Sequence, residues 1–322
     1  MKPDSLLTNP RIIAVVVTYH PDLPKLQRQL DALTPQVHSI VVVDNDSSDD
    51  LTTWMADHAG HTHIVVQLER NHGIAHAQNM GIEHARKHSA THVLLMDQDS
   101  LPAPDMVSEL LLAAQASASV ASVGPRFMDT RQDNPPPFIR IRGLKLERVA
   151  CEPGRPIVPV DYLIASGCLI PMAALDLVGP KREDLFIDYV DIEWGLRARR
   201  EGLQSYGVCT ATMDHSLGDE PLRFIGRDIP THSPLRHYYH MRNAVLLYRE
   251  PWIPLNWKLV DGWRLALKFG FYSLVTAPRL QHLRMMTMGL WHGLKGRSGS
   301  FETPSYRKAP GMPASSRSDE AN

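Results

Sequence analysis

The sequence predicts an α/β fold: an open, doubly wound sheet flanked by helices, followed by an amphipathic helical region. Three observations carry this. Through the first hundred residues, β-branched runs alternate with stretches of helical spacing. Each of those runs ends in polar side chains. Beyond residue 250, Trp, Phe, Leu and Met mix with Lys and Arg while acidic residues nearly vanish.

Ile12 to Val17 suits a central parallel strand buried on both faces, and it ends at Thr18, Tyr19 and His20. After Pro21, Leu23, Leu26, Leu30 and Leu33 recur at helical intervals. Ile40 to Val43 is a second strand, ending at Asp44, Asn45 and Asp46, which completes a βαβ unit. Asp44, first off its strand, is placed to accept from a nucleobase or ribose. The acidic run Asp44 to Asp50 is not a calcium loop, because Asp49 stands where an EF-hand needs glycine and Met55 where it needs a bidentate glutamate. Asp49 and Asp50 suit a helix start instead.

Ile64 to Leu68 gives a third strand, followed by Asn71, Gly73 and Asn79. Gly73 permits a tight turn or the close approach of a ligand. Ala75, Ala77 and Gly81 leave a helix face with little bulk, which fits close packing on the sheet as well as a phosphate at the helix start.

Val93 to Met96 is a fourth buried strand, and it runs straight into Asp97 and Asp99. Two carboxylates this close repel each other unless a cation sits between them. Oxygen-only ligands favour Mg²⁺ or Mn²⁺, whose open positions a substrate diphosphate can fill. Alone, the same residues also fit a polar turn capping the next helix.

Asp105 to Ala116 reads as a helix and Val120 to Val123 as a short strand. Residues 129 to 160, rich in proline and charge, read as an irregular excursion, a hairpin or flap. Ser166 and Gly167 suit a tight loop before a brief strand, Cys168 to Ile170. From Tyr189 the spacing is helical, with Asp188 and Asp191 near the first turn. Plain capping explains both; Asp191, between Val190 and Ile192, also suits a general base. Tyr206 to Thr212 is a strand leading to Asp214 and His215, and Arg236 to Glu250 is a helix whose Arg242 and Asn243 are candidates to reach a diphosphate. The segments divide as 11–250, an α/β domain with a nucleotide-binding half (11–100) and an acceptor and catalytic half (101–250); 251–296, an amphipathic helical pair; and 297–322, a tail of disordered composition.

With 43% apolar residues the chain can bury a real core, and its formal charge of −1 gives no sign of a nucleic-acid partner. The charge is unevenly spread: residues 222–322 hold 15 Lys/Arg against 6 Asp/Glu, and the remainder holds 19 against 29. A basic, aromatic helix pair suits an anionic membrane surface, or else covers the sheet or forms a dimer contact. Cys151, Cys168 and Cys209 are too few and too widely spaced for a disulfide framework or a zinc motif, so each is expected as a small core residue in a reducing compartment. The N-terminus lacks a continuous apolar segment of signal-peptide type, and no run approaches the roughly 20 apolar residues of a spanning helix.

The ordered motifs TYHP, VVVDN, NHGIAHAQNMGI, LLMDQDS, SGCLI, FIDYVDIEW and HYYHMRN resemble the family 2 glycosyltransferases of GT-A fold, a Rossmann-like mixed sheet flanked by helices. Within that family they are most similar to bacterial rhamnosyltransferases, above all the second rhamnosyltransferase of rhamnolipid synthesis. The resemblance implies inverting transfer of L-rhamnose from dTDP-L-rhamnose to an amphiphilic glycolipid acceptor, mono-rhamnolipid giving di-rhamnolipid, or alternatively to a polyprenyl-linked glycan of surface polysaccharide assembly. It implies a cytoplasmic protein, peripheral on the inner face of the membrane. By position, Thr18 and Tyr19 would line the nucleoside pocket, Asp44 would contact the nucleoside, and Asn71, Gly73 and Asn79 would shape the donor site. Asp97 and Asp99 would hold Mg²⁺ or Mn²⁺, with His215 near a third ligand position. Arg242 and Asn243 would face the diphosphate. Ser166, Gly167 and Asp188 would lie on the acceptor side, and Asp191 would be the base. Val190 stands where the family has a Glu before that Asp, with Asp188 and Glu193 close by.

Overall fold

The computed structural model describes residues 10–47, 51–58, 63–128, 138–214, 222–224, 227–229 and 232–301. The opening half alternates as expected: β1 (Ile12–Thr18), α1 (Leu23–Leu33), β2 (Ser39–Asp44), α2 (Leu51–His58), β3 (His63–Gln67), α3 (Ile74–Lys87) and β4 (His92–Asp97). There follow β5 (Leu101–Pro102), α4 (Met106–Gln115), β6 (Val120–Met128), the hairpin β7 (Phe138–Arg142) and β8 (Lys145–Val149), β9 (Ile157–Val160), β10 (Cys168–Pro171) and α5 (Met172–Val178). A short 3-10 turn, Glu183–Leu185, precedes α6 (Val190–Arg200) and β11 (Gln204–Asp214). After the small hairpin β12 (Leu222–Phe224) and β13 (Arg227–Ile229), the described chain ends in α7 (Pro234–Tyr248), α8 (Leu255–Leu274) and α9 (Arg279–Leu294).

The main sheet has the order β3-β2-β1-β4-β10-β6-β11-β5, with β9 also paired to β11. β1 to β4 are mutually parallel where they pair, and β10 runs antiparallel between β4 and β6, so the sheet is mixed. Alternation along β1 explains why both faces are covered. Ala14 and Val16 pack with Leu26, Leu30 and Leu33 of α1, while Ile13, Val15 and Val17 pack with Ala77, Ile82 and Ala85 of α3. The small residues of α3 serve that packing: a Cβ on Gly81 would lie 2.2 Å from Val15 Cγ1.

Chain order along the sheet reverses beside β1, since β2 lies on one side and β4 on the other. In register, Thr18 sits opposite Asp44, and Val17 opposite Asp97. The polar strand ends therefore share one sheet edge, where open α/β sheets bind ligands.

Three expectations need correction. β6 runs on to Met128 because β11, longer than expected, pairs with it beyond Gly124 and Pro125. Cys151 and Cys209 are not separate core residues but a disulfide with Cα atoms 5.6 Å apart, leaving Cys168 free and buried. Their sequence separation of 58 concealed the pairing, which arises because β9 folds back onto β11. Residues 297–301, assigned to the tail on composition, are docked: the Phe301 N–H donates to the Tyr239 hydroxyl (2.7 Å) and the Gly299 N–H to the Asp184 carbonyl (2.6 Å). The rest of the expected tail, like residues 1–9 and the start of the Asp49–Asp50 helix, lies outside the described residues.

The C-terminal helices pack on the fold. α9 lies tightly on α7, where a Cβ on Gly289 would meet the Tyr238 carbonyl at 2.4 Å and one on Gly293 the Arg242 carbonyl at 2.8 Å. α8 buries Trp257, Val260, Leu265 and Tyr272 against the fold. Its opposite face carries Leu255, Leu259, Trp263, Leu267 and Leu274, each more than half exposed, at spacings that make one stripe. Among the described residues, no helix is long and apolar enough to cross a membrane.

Candidate active site

The site is built on the strand ends. Asp44 is buried, its Oδ1 accepting from the Thr18 hydroxyl (3.0 Å) and the Ser47 hydroxyl, and its Oδ2 from the Ser47 N–H (3.2 Å). Thr18 is equally buried, so it braces Asp44 instead of lining a pocket. Tyr19 is exposed at the same edge, with its backbone held by Gln98: the Tyr19 N–H donates to Gln98 Oε1 (2.7 Å) and Gln98 Nε2 donates to the Tyr19 carbonyl (3.1 Å). The residue between the two aspartates thus ties the β4 end to the β1 end.

Asp97 is anchored from below. Its N–H donates to Ser166 Oγ (3.1 Å), which lies 2.6 Å from Ser100 Oγ. Ser166 is buried under the Asp pair, not on an acceptor face, because its hydroxyl accepts from the last N–H of β4. Gly167 adopts a positive φ of 77°, and a Cβ there would lie 2.5 Å from Pro125 Cγ, so it bends the chain into β10.

Electrostatics bring the three acids together. Burial first, then the charges of Asp99 and Asp191, push the Asp97 carboxyl up to about 7, and Arg236 opposes them. Asp191, one residue into α6, is therefore within electrostatic reach of the Asp pair although 92 residues separate it from Asp99 in the chain. Its Oδ2 accepts from the Ala165 N–H (3.0 Å) and its Oδ1 from Lys181 Nζ (3.2 Å). Asp188 instead pairs with Arg236, whose Nε lies 3.4 Å from its Oδ2. Asp191 is a charge that Asp97 feels, whereas Asp188 is committed to Arg236. Glu193 is buried in an ion pair with Arg197 at 2.8 Å and does not replace the missing Glu.

The expected diphosphate-facing pair needs correction. Arg242 and Asn243 are fully buried; Arg242 Nε donates to Asn243 Oδ1 (2.9 Å), and their other donors go to backbone carbonyls. Arg242 donates to Leu185 O (2.9 Å) and Gly299 O, and Asn243 Nδ2 to Leu185 O (2.9 Å), Ile187 O (2.7 Å) and Asp188 O (3.0 Å). They clamp the run before α6, where Phe186, Asp188 and Tyr189 all have positive φ, a conformation that side-chain-bearing residues hold only under constraint. Asn79 is likewise a clamp: it accepts from the Lys181 N–H (2.9 Å) and donates to the Lys181 carbonyl (2.9 Å). Asn71 Oδ1 accepts from Asn45 Nδ2 (3.0 Å) and the Gly73 N–H (2.9 Å), bracing the turn into α3. The α3 start is covered, since the Ile74 N–H donates to Phe186 O (2.8 Å) and a Cβ on Gly73 would lie 2.4 Å from that oxygen. His215 lies outside the described residues.

Three residues escaped the sequence reading. Arg236 stands in the first turn of α7, where the helix dipole disfavours a cation, and that mismatch was the available signal. Lys181 is buried with its ammonium 4.8 Å above the Trp194 ring, and nothing local in GPKRED distinguishes it. Asp261 of α8 accepts from the Tyr189 (2.9 Å) and Tyr248 (2.6 Å) hydroxyls, tying the C-terminal helices to the residue that caps α6. Lys181→Met is expected to cost roughly 1–3 kcal/mol, between the values of buried and exposed pairs because Asp191 is partly solvated. Denaturant unfolding checks this, and an unchanged midpoint would show that the pair contributes nothing.

Residues 14–164 match the family model described as glycosyl transferase family 2. Over 297 residues, 90% of this chain and 98% of the other, the sequence is 36% identical to the dTDP-rhamnosyl transferase RfbF of Shigella flexneri. The chain belongs to glycosyltransferase family 2. It is also 30% identical to the galactofuranosyltransferase GlfT1 of Mycobacterium tuberculosis, over 91% of this chain and 97% of the other. Among solved structures it superposes with TM-score 0.54 on the mannosyltransferase PcManGT of Pyrobaculum calidifontis, solved with GDP-Man and Mn²⁺, at 17% identity and covering 90% of this chain and 76% of that one. The mixed sheet and its flanking helices are thus the GT-A fold, and this family 2 enzyme is a glycosyltransferase.

Proposed function

We propose that the protein transfers L-rhamnose from dTDP-L-rhamnose, with inversion, to a hydroxyl of a membrane-associated amphiphilic glycolipid. What supports the reading is that Asp97 and Asp191 are held by the adjacent residues Ser166 and Ala165 at the ligand-binding edge, in a chain 36% identical to a dTDP-rhamnosyl transferase. Asp191 takes the acceptor proton. Its two oxygens are held by Ala165 and Lys181, which fixes the carboxylate while leaving lone pairs for the hydroxyl. One base suits a single displacement, and no second carboxylate is assigned to the anomeric carbon.

A divalent cation, Mg²⁺ or Mn²⁺, fits Asp97 and Asp99. Two oxygen ligands are crowded against a third acid strongly enough to hold Asp97 half-protonated near neutrality, a deficit of positive charge in the protein itself. When bound, such an ion supplies Lewis-acid stabilisation of the departing diphosphate. Arg236 adds a fixed positive charge beside Asp188.

The apolar stripe of α8, with exposed Arg279, Arg284, Lys295 and Arg297 on and after α9, supports peripheral binding to the inner face of the cytoplasmic membrane. The Cys151–Cys209 disulfide is the feature that runs against a reducing compartment. Mono-rhamnolipid is the first acceptor proposed. A polyprenyl-linked glycan is the second.

Purified protein with dTDP-L-rhamnose and each acceptor should yield one rhamnosylated product by mass spectrometry; no product from either overturns the reading. Leu259→Glu combined with Leu267→Glu should release the protein from anionic vesicles in flotation. Undiminished binding removes α8 from the membrane contact.

A further inference from the structure

A cleft of about 370 Å³ opens at the end of α6 opposite the base. Arg199, Arg200, Trp252, Asn256 and Trp257 line it. Arg199 and Arg200 follow Asp191 by eight and nine residues on one helix, so they lie roughly 12–14 Å along its axis from the base.

The lining is rich in donors and short of acceptors. Trp257 is 3% exposed, yet its Nε1–H meets no acceptor among the described residues. Arg200 has its guanidinium 5.9 Å from the Trp252 ring, and no carboxylate pairs with it among the described residues. Asp161, the one acid in the lining, has both oxygens engaged: Oδ1 accepts from Arg199 (2.8 Å) and Oδ2 from the Ile141 N–H (2.6 Å). A guanidinium beside aromatic walls suits an oxyanion carried on an amphiphile. The position agrees, because Asn256 and Trp257 sit on the first turn of α8 between Leu255 and Leu259, where the exposed apolar stripe begins.

We propose that this cleft binds the anionic head group, phosphate or carboxylate, of the amphiphilic acceptor while its terminal sugar reaches Asp191. The proposal rests on the glycolipid reading above and adds the place where the acceptor is recognised. It makes the acceptor a molecule with an oxyanion roughly two sugar rings from the reacting hydroxyl and an apolar chain leaving along α8.

Three synthetic acceptors test it, carrying the same terminal sugar on an undecyl diphosphate, on a carboxylate-ended chain of matched length, or on an uncharged chain. The wild type should favour at least one anionic acceptor over the uncharged one in kcat/KM, and which one identifies the source of the oxyanion. Arg200→Gln should cut that preference about tenfold or more, and Arg200→Lys should retain most of it. A wild type without preference, or a preference that survives Arg200→Gln, overturns the cleft proposal and leaves rhamnosyl transfer standing. Failure of all three acceptors with the wild type overturns the transfer reading itself.

Discussion

Asp191→Asn is expected to lower turnover by about two to four orders of magnitude while the dissociation constant for dTDP-L-rhamnose changes by less than about threefold. The amide is nearly the shape of the carboxylate, so it can stay near Ala165 and Lys181, but it cannot take up the acceptor proton. A sugar hydroxyl is a poor nucleophile at neutral pH, and the loss falls on the chemical step alone. Single-turnover measurement with saturating acceptor separates this from weakened binding. Turnover within about tenfold of wild type would remove Asp191 from the base role and return attention to Asp188.

Asp97→Asn is expected to reduce turnover by about a thousandfold, since a metal-stabilised leaving group is worth several kcal/mol and each 1.36 kcal/mol is a factor of ten. EDTA should do the same to the wild type, reversibly on adding Mn²⁺. The sign of the pH dependence follows from the Asp97 carboxyl lying at about 7 in the fold and 3.8 when unperturbed. A cation binds the ionised form, so Mn²⁺ affinity by calorimetry should fall about tenfold from pH 8 to pH 6, with proton release on binding. Without metal the shift acts oppositely on stability. Its stabilising contribution is complete below about pH 4 and is lost as pH rises through 7, on the order of a few kcal/mol that Asp97→Asn should abolish. Mn²⁺ affinity independent of pH across that range would contradict the raised carboxyl.

Much of the fold, and the candidate acids at its strand ends, was legible in the sequence. Asp97 and Asp99 announce themselves because a buried apolar strand ending in two carboxylates is a local pattern, and Asp191 because it falls in the first turn of a well-spaced helix. Asp44 could be read for the same reason, as the first charge off a β-branched strand. What misled was helical position taken for direction: Arg242 and Asn243 lie on α7 as expected, yet α9 and residues 297–301 cover them, and they turn inward to hold the run before α6. Arg236, six residues earlier, is the cation that Asp97 senses.

The sequence by itself determined the strands and helices, the edge at which they end in acid, and the family, because hydrophobic period and short motifs are written in neighbouring residues. Only the tertiary structure decided which charges meet. Lys181 pairs with Asp191 because Asn79, 102 residues away, grips its backbone; Asp261 reaches Tyr189 across 72 residues; Cys151 finds Cys209 across 58. Coulomb energy and hydrogen bonding depend on distance in space, and a pattern read along the chain carries no such distance for groups that packing alone brings together.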